Sequence, residues 1–218
     1  MRLRLTFSKK PELRYISHLD LHRLWERSFR RANLPLAYSQ GYNPHPRINL
    51  ACALPLGFTG SYEVVDVRLS EEIDISKIQP ALQIALPPGL EIEEIEQMED
   101  NAPVLQAIVE SSEYTITLLN SVDDMDIRVR ELLAAPSIPR RRRAKDYDLR
   151  PLILDIQVLE NNNMYLQKLL IVLSAKESAT GRPEEVIAAL GIEPEMARYH
   201  RNRIIFKQNQ AQENPFAA

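Results

Sequence analysis

Met1-Arg-Leu-Arg-Leu-Thr-Phe7 and, ten residues on, Ser17-His-Leu-Asp20 decide how this chain is read. The first stretch alternates charged and apolar residues with period two, the mark of a half-buried strand, because successive side chains of a strand point to opposite faces. The second has the S-x-x-D form of a helix N-cap, where a hydroxyl oxygen takes up an amide left free in the first turn. Leu21, Leu24, Trp25 and Ala32 then recur at helical spacing until Pro35 ends the run. Working outward, residues 48–54 and 62–69 read as strands across a loop at 55–60. Residues 74–86 read as a helix stopped by Pro87-Pro-Gly89, and residues 90–98 as a strand with one wet face. The order is β-α-β-β-α-β. A second pass follows, with a strand at 113–119, a helix at 123–135 and a hairpin from 152–159 to 164–174 across Glu160-Asn-Asn-Asn163. It closes with a short helix at 183–190 and a strand at 198–206. The expected fold class is α+β: two tandem ferredoxin-like (βαββαβ) units with antiparallel sheets. The expected division is residues 1–100, residues 110–207 with a basic insert at 137–150, and a flexible tail at 208–218.

Composition bounds the chemistry. The 218 residues carry 27 Lys and Arg against 30 Asp and Glu, a net charge of −3, with 44 % hydrophobic residues, which suits a globular protein. A single cysteine, Cys52, excludes an intramolecular disulfide, a Cys-rich zinc site or an iron–sulfur cluster held by this chain alone. The six glycines form neither a G-x-G-x-x-G nor a G-x-x-x-x-G-K-[ST] loop. No cofactor and no metal is expected. No apolar run approaches the roughly 20 residues of a membrane span, and the amino terminus lacks the pattern of a signal peptide, so a cytoplasmic protein with no membrane partner is expected. The charge is segregated. Residues 1–70 hold 11 Lys and Arg against 5 Asp and Glu, residues 71–135 hold 3 against 15, and residues 136–218 hold 13 against 10. Basic poles of this kind suit a polyanionic partner.

Three segments carry candidate chemistry. Arg23, Arg27, Arg30 and Arg31 fall on one helical stripe roughly opposite the apolar one, and guanidinium groups in that setting bind phosphates. Tyr38-Ser-Gln-Gly-Tyr-Asn-Pro-His-Pro-Arg47 is a proline-restrained loop. In it Tyr38 and Tyr42 can stack on unpaired bases, Gln40 and Asn43 can bond base edges, and His45 and Arg47 can meet phosphate. Arg140, Arg141, Arg142 and Arg143 form the densest cationic run, expected to be solvated unless an anion neutralises it, with Asp146, Asp148 and Arg150 as a structural ion network behind it. His18 and His22 share a helix face at the spacing of two metal ligands, with His45 as a distant third, but without the glutamate of H-E-x-x-H.

The segments Arg14-Tyr-Ile-Ser-His-Leu-Asp20, Ala37-Tyr-Ser-Gln-Gly-Tyr-Asn-Pro-His-Pro-Arg-Ile48, Leu54-Pro-Leu-Gly57 and Asp148-Leu-Arg-Pro151 together resemble the DUF2344, radical SAM-linked protein family. The resemblance runs from residue 1 to the closing strand. Its motifs fall on Ser17, His18, Asp20, Tyr38, Gln40, Gly41, Asn43, Pro44, His45 and Arg47, and on Asp148 and Arg150. It implies partners: a cobalamin-binding radical SAM protein and a ribonuclease E/G-type enzyme. A radical SAM cluster takes three cysteines, so with Cys52 alone that reaction has to be supplied in trans.

The expected function is an RNA-binding adaptor for tRNA or rRNA modification or processing, without catalysis of its own. One alternative is a metal-independent endoribonuclease using His18 or His45 as base. The other is a protein-interaction module that docks a partner without RNA through the acidic middle or the basic run.

Overall fold

The computed structural model describes residues 1–142, 144–159 and 166–207. The first half runs β1 (Arg2–Lys9), α1 (His18–Arg31), β2 (Ile48–Leu50), β3 (Phe58–Arg68), α2 (Ile75–Ala85) and β4 (Leu90–Met98). The second runs α3 (Leu105–Ile108), β5 (Val109–Leu118), α4 (Met125–Ala134), β6 (Pro139–Arg142), β7 (Lys145–Asp148) and β8 (Ile153–Leu159). It ends with β9 (Lys168–Lys176), β10 (Ala179–Thr180), α5 (Pro183–Ala189) and β11 (Ala197–Phe206). This is a mixed α+β fold. Ser17 caps α1 as its sequence indicates, its hydroxyl accepting from the Asp20 amide at 3.2 Å. Asp74 caps α2 in the same way through the Ser76 amide.

Strands β4-β1-β3-β2 lie side by side in that order, every neighbour antiparallel. Strands β11-β5-β9-β8 do the same in the second half. The expectation of two separate sheets is corrected by one further pairing: β11 runs parallel to β3, with Tyr199 opposite Phe58 and Arg201 opposite Gly60. Among the described residues, nine strands therefore form a single sheet, and β6 and β7 form a separate two-stranded one. The same edge of β3 serves two partners, β11 along residues 58–62 and β2 along residues 65–67. An unpaired stretch of strand edge exposes amides and carbonyls that need partners, and β11 supplies them. This is also why residues 58–60, read from sequence as loop, are strand, and why β2 is shorter than expected. The hairpin turn at 160–163 and the tail at 208–218 lie outside the described residues.

Each half keeps its own core. In the first, Trp25 is fully buried between Phe7, edge-on at 5.0 Å, and Phe29 at 6.1 Å, with Leu3, Leu5, Val65 and Val67 from the sheet. In the second, Phe58 stacks on Tyr199 at 4.8 Å and meets Tyr114 edge-on at 6.3 Å, among residues of α4 and α5. Phe58 belongs to β3, so a strand of the first half supplies an aromatic to the second core. A smaller cluster of Ala51, Val64, Leu105, Val109 and Ile204 fills the junction.

At that junction a charge pair is shut from water. Arg201 of β11 and Glu63 of β3 are 1 % and 2 % exposed, and the guanidinium grips the carboxylate through both Nε, at 2.7 Å, and Nη2. Gly60 makes room: a Cβ there would stand 2.5 Å from Glu63 Oε1. Removing one partner of such a pair strands the other charge in low dielectric, whereas replacing both with apolar groups is nearly neutral. Glu63→Leu is therefore expected to lower unfolding stability by about 3–5 kcal/mol. Most of that loss is expected to return in Glu63→Leu with Arg201→Met. Urea denaturation of the two variants checks this, and equal losses in both would contradict it.

Candidate nucleic-acid interface

Helix α1 turns Leu21, Trp25 and Phe29 inward, and that phase carries Arg23, Arg27, Arg30 and Arg31 outward, where all four are exposed. Arg23 lies 3.5 Å from Asp20, Arg30 lies 2.7 Å from Glu26, and Arg31 donates weakly to Ser28 at 3.5 Å. These are surface pairs of small energetic weight, easily exchanged for a stronger anion.

The tyrosine loop follows α1 and is ordered by its own backbone. Ser39 donates its amide to His45 O, Arg47 to Ala37 O, and the His45 amide bonds the Ser39 hydroxyl. Tyr38 and Pro46 form an isolated bridge. Gly41, with φ at +130°, occupies a backbone region that a side chain would strain. The effect is a short arch that displays Gln40, Tyr42, Asn43, Pro44, His45 and Arg47, all exposed, with the Tyr42 ring wholly so. The stripe and the arch meet at one point. Arg30 Nη2 donates to the Tyr38 hydroxyl at 2.7 Å, and its guanidinium lies 5.9 Å from the centre of the Tyr38 ring.

The basic run differs from expectation. Arg140, Arg141 and Arg142 form β6 and pair with β7, with Arg140 opposite Tyr147 and Arg141 opposite Asp146; Arg143 lies outside the described residues. Arg140 also faces Glu185 of α5 at 3.5 Å, and Arg141 faces Asp146 at 3.7 Å. The run is thus a hairpin rather than a loose cationic cluster, rooted in the second core through Ile138, Tyr147 and Leu149. Asp148 and Arg150 anchor it as expected, but through backbone groups rather than an ion network. Asp148 accepts the amides of Ile138 at 2.7 Å and Arg150 at 2.9 Å, bonds that hold its carboxyl below the usual range. Arg150 donates to the carbonyls of Leu133 and Ile153.

The histidines part company. His22 is tied to Ile48 O at 3.0 Å, His45 stands exposed on the arch, and His18 is half-buried with Nδ1 enclosed and unpartnered. Burial first, then His22 and Arg201, push the His18 imidazole below its ordinary pKa. Among the described residues, no three His, Cys, Asp or Glu side chains gather as a metal site.

His18 borders a group of residues that the motif reading passed over. Around Arg201 and Glu63 lie Lys9, Cys52 and Tyr114. Lys9 is 1 % exposed, its ammonium donating to Ile16 O at 3.2 Å and Arg14 O at 3.4 Å. Arg201 also donates to Ala53 O at 3.2 Å and, weakly, to Cys52 O at 3.5 Å. Burial opposes the charge of Arg201 most strongly, and Glu63, Tyr114 and Cys52 together outweigh it, leaving the guanidinium above its ordinary pKa. Burial raises the Cys52 thiol and the Tyr114 phenol. Gly57 donates its amide to Arg14 O, so the Arg14–Asp20 and Leu54–Gly57 motifs meet beside this group. One signal for it stood in the sequence: the period that buries Leu3, Leu5 and Phe7 puts Lys9 on the same face.

The family model described as "Uncharacterized protein conserved in bacteria (DUF2344)" matches residues 2–183. The chain belongs to the DUF2344 family. No curated protein matches this DUF2344 chain. Among solved structures it is similar to a Cbf5-Nop10-Gar1 complex, with a TM-score of 0.51 and 14 % identity over 95 % of this chain and 50 % of that one. It is also similar to an archaeal box H/ACA sRNP Nop10-Cbf5 complex, with a TM-score of 0.46 and 13 % identity over 95 % of this chain and 50 % of that one. The first likeness is one of fold: a mixed α+β chain on a large, mostly antiparallel sheet, spanning about half the length of the structure it matches. No helix among the described residues of this DUF2344 chain is long and apolar enough to cross a membrane.

The buried lysine makes stability depend on pH. Burial lowers Lys9 from 10.5 to about 8, against the pull of Glu63. Between those values the unfolded chain binds the proton and the folded chain does not, so stability rises with pH across this window and is lost as pH falls through about 8. Urea midpoints measured from pH 8 upward are expected to climb in the native protein and to stay flatter in Lys9→Met; parallel curves would refute it.

Proposed function

We propose that this chain is an RNA-binding adaptor, without catalysis of its own, that presents tRNA or rRNA to a cobalamin-binding radical SAM enzyme in the cytoplasm. In this reading a ribonuclease E/G-type enzyme acts in the same process. The single observation that carries the RNA reading is the bond from Arg30 to Tyr38, which fuses the arginine stripe of α1 with the tyrosine arch. Arg23, Arg27 and Arg31 neutralise phosphates along the stripe. Tyr38 and Tyr42 offer rings to unpaired bases, each stack contributing roughly 1–3 kcal/mol. Gln40, Asn43, His45 and Arg47 bond base edges and phosphate from an arch whose backbone is already ordered, so binding costs little entropy. The hairpin bearing Arg140 to Arg142 is a second phosphate contact. The architecture that holds these parts is two fused ferredoxin-like units, a reading supported by the like strand orders β4-β1-β3-β2 and β11-β5-β9-β8.

Phosphate contacts release counterions, so RNA retention is expected to fall steeply from about 50 to 200 mM salt. Replacing Arg23, Arg27 and Arg31 together by Ala is expected to cut the slope of log K against log salt by about 2, at roughly 0.7 per lost contact with a single strand. Tyr42→Ala is expected to weaken binding about tenfold without changing that slope. Fluorescence anisotropy with labelled tRNA and rRNA fragments reads both. Retention that ignores salt and these variants would end the reading. The unpartnered Nδ1 of His18 favours one rival, the endoribonuclease. RNA cleavage in EDTA that vanishes in His18→Ala would replace the adaptor by that enzyme.

A further inference from the structure

The sheet brings the tyrosine arch and the arginine hairpin to one place. Two residues of β1 face three of β3 between the pairs Phe7–Glu63 and Lys9–Gly60, and this bulge keeps Phe58 on the same face as Val65 and Val67. Phe58 lies in the core under α4 and α5, and Val65 and Val67 in the core under α1 and α2, so these four helices cover one face. Strands β2 and β8 both run against β3 and both begin at the end where β3 finishes. Ile48 stands opposite Val67, and Ile153 lines up through Leu173 and Ser112 with Ile204, towards the far end of β11. The arch leads into β2 and the hairpin into β8, so both leave the same end of the sheet. Across the strands they are three spacings apart, about 14 Å, a gap that a few nucleotides cross. Between them lies a cleft of about 260 Å³, lined by Ala53 after β2 and by Arg182 before α5, the helix whose Glu185 faces Arg140.

The two elements differ in chemistry. The arch offers a ring and amides, Tyr42 with Gln40 and Asn43, which suit bases free of partners. The charged side chains exposed on the hairpin are Arg141, Arg142 and Lys145 with Asp146, while its one aromatic, Tyr147, packs against the second core. Cations without exposed rings or amides hold phosphates and leave bases unread, which is how a double helix is met when its bases are paired. Arg142 stands directly opposite Lys145, a like-charge pair that costs stability until an anion lies across it. Asp146 answers only Arg141, in an exposed pair at 3.7 Å of small energetic weight.

We propose that the RNA this chain takes is a stem–loop, with phosphates of the double-helical stem on the β6–β7 hairpin and unpaired bases of the loop on the arch. The proposal rests on the RNA-binding reading above and gives that site its substrate class.

Fluorescence anisotropy of the full chain with one stem–loop RNA, and with its loop sequence as a single strand, tests this. The stem–loop is expected to bind about tenfold more tightly, with a slope of log K against log salt steeper by about 2 for two added phosphate contacts. Arg141→Ala with Arg142→Ala is expected to bring the ratio of the two affinities to about one. Tyr42→Ala is expected to weaken both RNAs about tenfold and to keep the ratio. These positions are exposed, and thermal melting confirms that the variants fold. Equal binding of the two RNAs by the native chain, or a ratio that survives the loss of Arg141 and Arg142, would overturn the proposal. The two readings fail separately. A single strand held in a salt-dependent way with no gain from the stem defeats the stem–loop and leaves the adaptor. Neither RNA held defeats the adaptor, and the stem–loop with it.

Discussion

Arg201 and Glu63 hold a charge pair where water does not reach, and the join of β11 to β3 has to satisfy that pair. Two ions of this kind are tolerated in low dielectric only if each oxygen and each N–H has a partner. The guanidinium approaches that condition with four bonds, two to the carboxylate and two to carbonyls of the segment after β2. To do so, β11 has to lie against β3, which it does in parallel, and β3 has to leave space at Gly60. The ion pair thus sits at the join of the halves, with Tyr114 and Cys52 around it and a cleft beside it.

The candidate interface is built on the first half by a different economy. Helix α1 is held by an aromatic core around Trp25, and the phase that buries Trp25 presents the arginines outward. The arch after it needs no core of its own, because Ser39, His45, Ala37 and Arg47 satisfy one another's backbone groups. Exposed rings and amides can therefore be held still without being packed. The hairpin of Arg140 to Arg142 follows the same logic in the second half, with Asp148 and Arg150 closing backbone groups, Arg141 and Arg142 exposed and Arg140 half-buried against Glu185.

Much of this was legible residue by residue. The cap at Ser17, β4 at Leu90–Met98 and the outward stripe of α1 follow from periodicity and local hydrogen bonding, which act over a few residues. The hairpin at Arg140 was not legible, because like charges in sequence argue for a solvated loop and the cross-strand partners Asp146 and Tyr147 lie beyond a local window. Lys9, Glu63 and Arg201 were passed over for the same reason. A charged residue in a strand reads as its wet face, and only the partner strand, 138 residues away for Glu63 and Arg201, shows that the face is dry.

By itself the sequence determined the two successive β-α-β-β-α-β runs, the apolar stripe of α1, the composition of the arch and the family, all of which depend on short-range pattern. Only the tertiary structure decided that nine strands make one sheet, that Arg30 reaches Tyr38, and that Glu184 and Arg201 border one cleft. Strand edges carry the same amides and carbonyls whatever their side chains, so which edge pairs with which is settled by the packing of distant segments and leaves no local mark.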